Sequence, residues 1–217
     1  MMIRMINISK AYGEHVVLQN FTADFPVGEV SCIMGASGIG KTTLIDILAG
    51  LTPADSGDIQ GVAGKKFSIL FQEDRLLEWE TTLTNVLFAT ATPNIQARFP
   101  LKSIIEKYKQ TNTNKQNAID LLTKAGLSDH IYKPAAELSG GMKRRAALCR
   151  ALLPPHDILI LDEPFKGLDG ELKKSIMQLT LDTFHSFNKY DAKVSTLICI
   201  THDPAEAEFM GGNIMML

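Results

Sequence analysis

Cysteine is scarce in this sequence, and its spacing excludes two common roles. The chain of 217 residues has three cysteines, Cys32, Cys149 and Cys199. None of them belongs to a C-x-x-C pair or to a zinc-ligand spacing, so a zinc module and a dithiol redox site are excluded. All three lie in apolar surroundings, and we expect buried free thiols, which suit a reducing compartment.

Neither sign of charge dominates, and long apolar runs are missing. The 22 Lys and Arg residues nearly balance the 24 Asp and Glu residues, giving a net charge of −2. We therefore expect no nucleic-acid partner, since such binding needs a basic field.

No apolar run is long enough to span a bilayer, and the start at Met1–Asn7 lacks the apolar core of a signal peptide. We expect a soluble, cytoplasmic protein with a single domain over residues 1–217.

A glycine-rich loop is the strongest signal that the sequence contains. It consists of Gly35, Ala36, Ser37, Gly38, Ile39, Gly40, Lys41, Thr42 and Thr43. The loop follows the apolar run Val30–Met34 and precedes a helix-like segment, which is the setting of the phosphate-binding pattern G-x-x-x-x-G-K-[ST]. Glycines let backbone N–H groups approach an anion, Lys41 can reach the β- and γ-phosphates, and Thr42 can ligate Mg²⁺. A plain glycine turn is the alternative, but the Lys-Thr pair and both flanking elements favour binding of a nucleoside triphosphate.

The remaining pattern predicts an α/β protein with a helical insertion. Strands are predicted at Ile3–Ile8, Val16–Phe25, Val30–Met34, Lys66–Phe71, Ile158–Leu161 and Val194–Ile200. Helices are predicted at Leu44–Ala49, Leu83–Ala91, Leu101–Lys109, Lys115–Ala125, Lys143–Leu153 and Glu171–Phe187. The segment Pro53–Gly57 is predicted to be a turn. The late strands are continuously apolar, which is typical of a mostly parallel sheet that is buried on both faces.

Two of these strands end in polar residues that suit phosphate chemistry. Asp162 and Glu163 follow one strand, and His202 follows the other. Ligands of open α/β sheets lie at the carboxyl ends of the strands, so all three side chains are expected near the phosphates. Asp162 can hold Mg²⁺, and Glu163 can orient and deprotonate an attacking water. Adjacent carboxylates also occur at helix starts, and a lone histidine is more often structural, but these positions favour catalysis.

A second predicted helix start also carries small residues. Ser139, Gly140 and Gly141 precede the helical run, and the free N–H groups of a helix start favour an anion. The basic residues that follow, Lys143–Arg145, are interpreted as a solvated helix face.

Tyr12 lies on a Gly-marked turn, where it could stack on a base or be an ordinary strand tyrosine.

Taken together, these motifs resemble those of the nucleotide-binding subunit of ATP-binding cassette (ABC) transporters, and the likeness runs nearly end to end. In family order they are the adenine-stacking Tyr12, Walker A at Gly35–Thr42, the Q-loop Gln72, the signature Leu138–Gly141, the Walker B Asp162, the catalytic base Glu163, the D-loop Asp169 and the switch His202. The resemblance implies the fold of an ABC cassette of the P-loop NTPase class. Such a cassette has a mostly parallel core sheet, an antiparallel β subdomain and an inserted helical subdomain, here at approximately residues 73–137.

The resemblance also implies a mechanism and partners. ATP and Mg²⁺ are the expected cofactors, with Thr42, Gln72 and Asp162 at the metal and Glu163, His202 and Gln72 in the catalytic set. Two subunits, here a homodimer, would sandwich ATP between Walker A of one and the signature Ser139–Gly141 of the other. Integral membrane permease subunits and a solute-binding protein would complete the system. The chain would then work at the cytoplasmic face of the cell membrane.

One segment narrows the resemblance further. Phe71–Trp79 is similar to the same stretch in importers of nitrate, sulfonates, taurine or thiamine precursors, although Glu78 stands where those usually have proline. Lys166 and Gly167 also depart from the small-residue pair that is common before the D-loop. The alternatives are a separate-cassette exporter, a lipoprotein-release ATPase, or a soluble non-transport ABC ATPase. A small-molecule kinase would have no use for the signature.

Overall fold

The computed structural model describes residues 2–36, 38–90, 112–190 and 195–217. The described chain forms two compact units. The first is assigned to Met1–Ile69, His156–Glu163 and Phe184–Leu217, and the second to Leu70–Pro155 and Pro164–Thr183. Two predictions, the loop residue Ser37 and the helix Leu101–Lys109, lie outside the described residues.

The strands and helices follow the predicted order. The strands are β1 Met2–Tyr12, β2 His15–Pro26, β3 Val30–Met34, β4 Ser56–Gln60, β5 Phe67–Leu70, β6 Ile158–Asp162, β7 Thr196–Ile200 and β8 Asn213–Met216. The helices are α1 Lys41–Leu48, α2 Thr82–Phe88, α3 Asn112–Lys124, α4 Gly140–Leu152, α5 Gly170–Tyr190 and α6 Pro204–Met210. In all of these described helices, no stretch is long and apolar enough to cross a membrane.

The first unit contains a three-stranded antiparallel sheet with the order β2-β1-β4. Along β1, buried Ile3 and Met5 alternate with the exposed Arg4, so that one face of the sheet packs on the core. Strand β4 was missed by the sequence analysis, which ended its predicted turn at Gly57. Its residues are mostly exposed, and hydrogen bonds to β1 hold the strand without the apolar alternation that would reveal it.

The five-stranded sheet has the order β5-β6-β7-β3-β8. Strands β6 and β7 run parallel, as do β7 and β3, and every residue of β6 and β7 is buried. Burial on both faces explains their continuous apolar sequences and confirms the predicted parallel core. Because parallel strands end at one edge, the residues that follow β3, β6 and β7 share that edge, where ligands of open α/β sheets bind.

The second unit is mainly helical. Helix α2 packs against α3 and α4, and the Thr81 hydroxyl caps α2 by accepting a hydrogen bond from the backbone of Thr84. An isolated antiparallel bridge joins Thr81 to Pro134. The predicted helices near Leu83 and Lys115 are confirmed, with ends shifted by up to three residues, as is usual for sequence-based boundaries.

Candidate functional site

The phosphate loop joins β3 to α1, and its geometry depends on Gly40. This residue caps α1 with φ +111°, and a Cβ atom built on it would lie 2.7 Å from Val17 Cγ1. No other residue type fits both the backbone angle and this contact. The Lys41 ammonium group lies inside the loop, where Nζ donates to the carbonyl oxygens of Gly35 and Ala36 at 2.8 Å each. A cation is thus held at the helix N-terminus, in the position where an incoming phosphate needs it.

Two oxygen ligands converge beside the loop. The Thr42 hydroxyl donates to Asp162 Oδ2 at 3.4 Å, and Asp162 is buried at the end of β6. Among the residues that the structure describes, no group of three or more His, Cys, Asp and Glu side chains could hold a metal ion. A hydroxyl and a carboxylate nevertheless fit Mg²⁺, because this ion uses few protein oxygens when phosphates and water supply the other ligands.

Glu163 is held in an unusual backbone conformation next to His202. Its φ is +48°, in the left-handed region that non-glycine residues seldom adopt, and its N–H donates to the Ile200 carbonyl at 2.9 Å. Glu163 Oε1 lies 3.1 Å from His202 Nδ1. The carboxyl side chain is 13% exposed and the imidazole 63%. Such strained residues cluster at functional sites, and the observed pair joins the ends of two neighbouring strands.

The loop that carries His202 is fixed by a buried carboxylate, which the sequence analysis missed. The Thr201 hydroxyl donates to Glu206 Oε2 at 2.5 Å and accepts from the backbone N–H of Asp203 at 3.0 Å. Both Thr201 and Glu206 are buried. In the sequence, Glu206 reads as an ordinary acidic residue in the first turn of a short helix, and only its burial reveals the role.

Tyr12 ends β1 with 53% of its surface exposed. Lys10 Nζ lies 5.5 Å from the centre of the tyrosine ring and 2.7 Å from Asp55 Oδ1. The hydrogen bond from Lys10 holds the pKa of the Asp55 carboxyl below its ordinary value. An exposed ring of this kind is available for stacking, as the sequence analysis expected of a base-binding residue.

The second candidate anion site starts α4 in the second unit. Ser139 caps this helix, and its Oγ accepts from the Met142 N–H at 3.4 Å. Ser139 and Gly140 are exposed, and a Cβ on Gly140 would meet nothing within 4 Å. Asp169 is exposed immediately before α5, also in the second unit. The structure therefore places Gln72, Ser139–Gly141 and Asp169 in one unit, and the other described candidates in the first.

The profile of the family described as ABC transporter matches residues 18–166 of this chain. The chain belongs to this family. It is 34% identical over 214 residues to the aliphatic sulfonates import ATP-binding protein SsuB 2 of Burkholderia cenocepacia, covering 96% of this chain and 70% of that protein. It is 33% identical over 222 residues to the bicarbonate transport ATP-binding protein CmpD of a Synechocystis species, covering 97% of this chain and 72% of that protein.

Solved ABC cassettes share the fold. The dimeric structure of MJ0796, a bacterial ABC transporter cassette, has a TM-score of 0.77 and 28% identity, covering 99% of this chain and 94% of that one. The post-hydrolysis state of the same cassette, a dimer bound to ADP and Pi, has a TM-score of 0.75 at 25% identity, with the same coverage. The chain is therefore the ATP-binding and ATP-hydrolysing subunit of an ABC transporter, with the α/β cassette fold that its sequence predicts.

Within this ABC cassette, the basic run on α4 is not the solvated face that the sequence analysis assumed for Lys143–Arg145. Arg144 is only 4% exposed, and its Nη1 donates to the carbonyl oxygens of Phe71 and Gln72 at 2.8 and 3.3 Å. The same nitrogen lies 2.9 Å from Asp74 Oδ1. Exposure was assumed because arginine is seldom buried, but a guanidinium group can be buried when several oxygen atoms accept hydrogen bonds from it.

Arg145 is buried for a different reason. Its Nε donates to the Gly141 carbonyl at 3.3 Å, and Nη1 donates to the carbonyls of Ala125 and Gly126. The side chain thus supplies donors to the end of α3, whose last carbonyl groups have no partner inside the helix. The interpretation of this residue as a solvated one was likewise wrong.

The three cysteines are free and buried, as predicted. Burial raises the pKa of the Cys149 thiol to about 12. Cys32 and Cys199 are opposite each other on β3 and β7. A hydrogen bond between the two thiols raises the pKa of Cys199 well above its ordinary value and lowers that of Cys32. Burial of all three thiols is consistent with structural roles.

Proposed function

We propose that this ABC cassette drives a solute importer, with a catalytic centre composed of Lys41, Thr42, Asp162, Glu163 and His202. The observation that carries the catalytic part is the contact between Glu163 Oε1 and His202 Nδ1 at 3.1 Å, made by a glutamate in a strained backbone conformation. The arrangement leaves a carboxylate and an imidazole at one edge of the sheet, beside the phosphate loop. These are the groups that in-line attack of water on a phosphoryl group requires.

In the proposed reaction Glu163 takes a proton from water as the water oxygen bonds to the γ-phosphorus of ATP. The bond from this phosphorus to the β–γ bridging oxygen breaks, and ADP and phosphate leave. Lys41 stabilises the negative charge on the β- and γ-phosphates, after exchanging its loop carbonyl partners for phosphate oxygens. His202, held by its loop beside Glu163, donates to the γ-phosphate. Tyr12 binds the adenine by stacking.

Thr42 and Asp162 are the residues that would hold Mg²⁺, which when bound supplies positive charge to the phosphates. Their oxygen atoms are already within 3.4 Å of each other, so little rearrangement of the two side chains is needed. Gln72 remains a predicted additional ligand, on the family resemblance.

The exposed start of α4 supports a role in a dimer. Ser139 and Gly140 present helix N-terminal N–H groups that suit an anion, whereas the catalytic carboxylate and histidine belong to the first unit. We therefore propose that two copies of this chain associate head to tail, each binding ATP on Walker A and contacting the partner's ATP through Ser139–Gly141, with Asp169 at the junction. ATP then favours the closed dimer, because only that state makes both sets of contacts.

The importer assignment is supported by the transport functions for which the relatives are named and by the segment Phe71–Trp79. The partners would be permease subunits in the membrane, met at the cytoplasmic face by the helical subdomain at approximately residues 73–137, together with a solute-binding protein. The spermidine/putrescine import ATP-binding protein PotA of Thermotoga maritima is 33% identical over 97% of this chain and 54% of that protein. These three relatives are named for different solutes, so the substrate class is left open.

Co-purification tests this proposal most directly. The Glu163→Gln protein would be isolated with Mg-ATP from native membranes and its companions identified, with the unmodified protein in ADP as the control. A polytopic membrane protein encoded beside a solute-binding protein is the expected result. Recovery of soluble proteins or ribosomes alone would contradict the transport role, and a permease without a binding protein would favour an exporter or a lipoprotein-release system.

A further inference from the structure

The segment after β5 is attached to the signature helix α4 through a set of side chains that the sequence did not reveal. Arg144 supplies the central attachment, because one buried guanidinium nitrogen serves the carbonyls of Phe71 and Gln72 and the carboxylate of Asp74. An ion pair that is 5% exposed on the arginine side is protected from salt and water, unlike an ordinary surface pair. The backbone of Gln72 is thus bonded directly to α4.

A second arginine extends the attachment two turns further along α4. Arg150 donates to the carbonyl oxygens of Asp74 and Arg75, the latter at 2.7 Å. Arg75 has φ +47°, and its guanidinium lies 4.2 Å from the centre of the Phe71 ring. A left-handed non-glycine residue persists only when its surroundings specify it, and the two carbonyl contacts from Arg150 do so here.

A third contact joins the segment after β5 to the start of α4. Lys143 Nζ lies 3.0 Å from both carboxylate oxygens of Glu78. Glu78 is the residue that replaces the proline usual in similar importers. The next residue, Trp79, is the only tryptophan in the sequence and is 70% exposed. It is therefore a natural optical probe of this segment.

The position of these cations on the helix is informative. Lys143 and Arg144 lie within the first five residues of α4, where the helix dipole disfavours positive charge. Cations are retained there only if acceptors outside the helix compensate them, and the segment Phe71–Glu78 supplies those acceptors. We propose that Arg144, supported by Lys143 and Arg150, is a positioning residue that fixes the Gln72 backbone to α4, so that Gln72 and Ser139–Gly141 move as one body.

This inference rests on the proposed function, since Gln72 and Ser139–Gly141 acquire their roles there, and it adds the residue that couples them. Arg144 acts through Gln72, whose backbone carbonyl accepts a hydrogen bond from its guanidinium group. Its removal therefore matters only while Gln72 is present. Displacement of a positioned group by about 1 Å can lower a rate by a factor on the order of 100. We expect Arg144→Met to lower kcat by about tenfold or more, with the KM for ATP nearly unchanged, because the phosphate loop is intact.

The first test requires no nucleotide. Time-resolved anisotropy of Trp79 is measured for the unmodified protein, for Arg144→Met and for Lys143→Gln. Both variants should show a larger nanosecond loss of anisotropy, by about twofold, because fewer side-chain contacts then hold the segment to α4. Arg144→Lys should recover part of the rigidity, and the exchanged pair Glu78→Lys with Lys143→Glu should recover most of that lost in Lys143→Gln. Lys174→Gln, which removes an exposed pair with Glu171, is the matched control and should change nothing.

The second test is a double-mutant cycle in ATP turnover. If Arg144 acts through Gln72, then Arg144→Met has no further effect on kcat in the Gln72→Ala background. Effects on kcat that multiply, or a Trp79 anisotropy unchanged by Arg144→Met, would overturn the inference. If Arg144→Met fails to fold, the same tests are made with Asp74→Asn and with the exchanged pair Glu78→Lys with Lys143→Glu. Absence of turnover in the unmodified protein would instead overturn the proposed function, so the two failures are distinguishable.

Discussion

Two helices of this cassette begin at glycine-containing loops, yet the loops use nearby lysines in opposite ways. At α1, Lys41 folds back into its own loop and donates to Gly35 and Ala36. At α4, Lys143 turns away to pair with Glu78. The helix N-terminus supplies N–H groups in both places, but only the first adds a cation, and its unit also holds Asp162, Glu163 and His202.

The two helix starts therefore have different proposed roles. The start of α1 binds ATP by itself, and the start of α4 contacts ATP that the partner has bound. In the proposed function, the phosphate loop holds the triphosphate, and Asp162, Glu163 and His202 in the same unit complete the groups that cleave it. The start of α4 offers donors alone, because its cations are already engaged by the segment after β5. A helix N-terminus is thus a general anion site. Whether such a site binds an anion strongly by itself depends on whether the nearest lysine is directed to the site or is paired with another residue.

The largest difference between the two helix starts is expected in ATP affinity when each lysine is neutralised in turn. Lys41→Met removes charge-assisted contacts to two phosphates, each worth about 1.5–3 kcal/mol, so ATP affinity should fall by about two to four orders of magnitude. Lys143→Met should leave the affinity of the isolated subunit unchanged, since that lysine is engaged with Glu78. Titration calorimetry with ATP measures both, and a similar loss in the two variants would contradict the distinction.

The two glycines at the helix starts should respond differently to alanine. Gly40→Ala forces a left-handed alanine against Val17, so we expect destabilisation of about 2 kcal/mol and a lower Tm by about 5 °C. Gly140 has open space around its Cβ position and lies in a helix, where alanine is favoured by about 0.5–1 kcal/mol. Gly140→Ala should therefore keep or raise the Tm while lowering ATP turnover, because the methyl group obstructs the approach of an anion. Thermal unfolding and turnover assays separate the two effects.

Loss of the α4 cap should have a smaller effect. Ser139→Ala removes the hydrogen bond to the Met142 N–H, and such caps contribute about 1 kcal/mol. The Tm should fall by about 2–4 °C, as expected for a domain of this size. Ser139→Asn, which can still cap, should retain the Tm and serves as the matched control. A Tm drop as large as that of Gly40→Ala would show that Ser139 has a further structural role.

The sequence alone was sufficient for the parts of the molecule that local chemistry determines. The phosphate loop is recognisable because glycine, lysine and threonine at that spacing have few other uses, and β6 and β7 because burial on both faces forces continuous apolar residues. Strand β4 was missed because exposed polar residues form it, and its pairing with β1 depends on the folded chain.

The buried charged residues that belong to no motif were the least predictable. Arg144 and Glu206 are both buried, yet in the sequence each has the pattern of a solvated helix residue. Arg144 is compensated by backbone carbonyls and the Asp74 carboxylate, and Glu206 by the Thr201 hydroxyl. None of these partners can be predicted from periodicity. A pattern in one sequence indicates which face of a helix or strand a residue occupies. Whether a buried charge has hydrogen-bonding partners depends on which groups the folded chain places beside it.

The assignment of Glu163 as the base that activates water is the central claim, and its amide variant tests it most directly. Turnover of ATP and the association state in Mg-ATP would be measured side by side for the unmodified protein and for Glu163→Gln. The account predicts that turnover falls by a factor on the order of 100 to 10,000, the usual contribution of a general base, while ATP is retained and a stable dimer accumulates. Unchanged turnover in Glu163→Gln would contradict it.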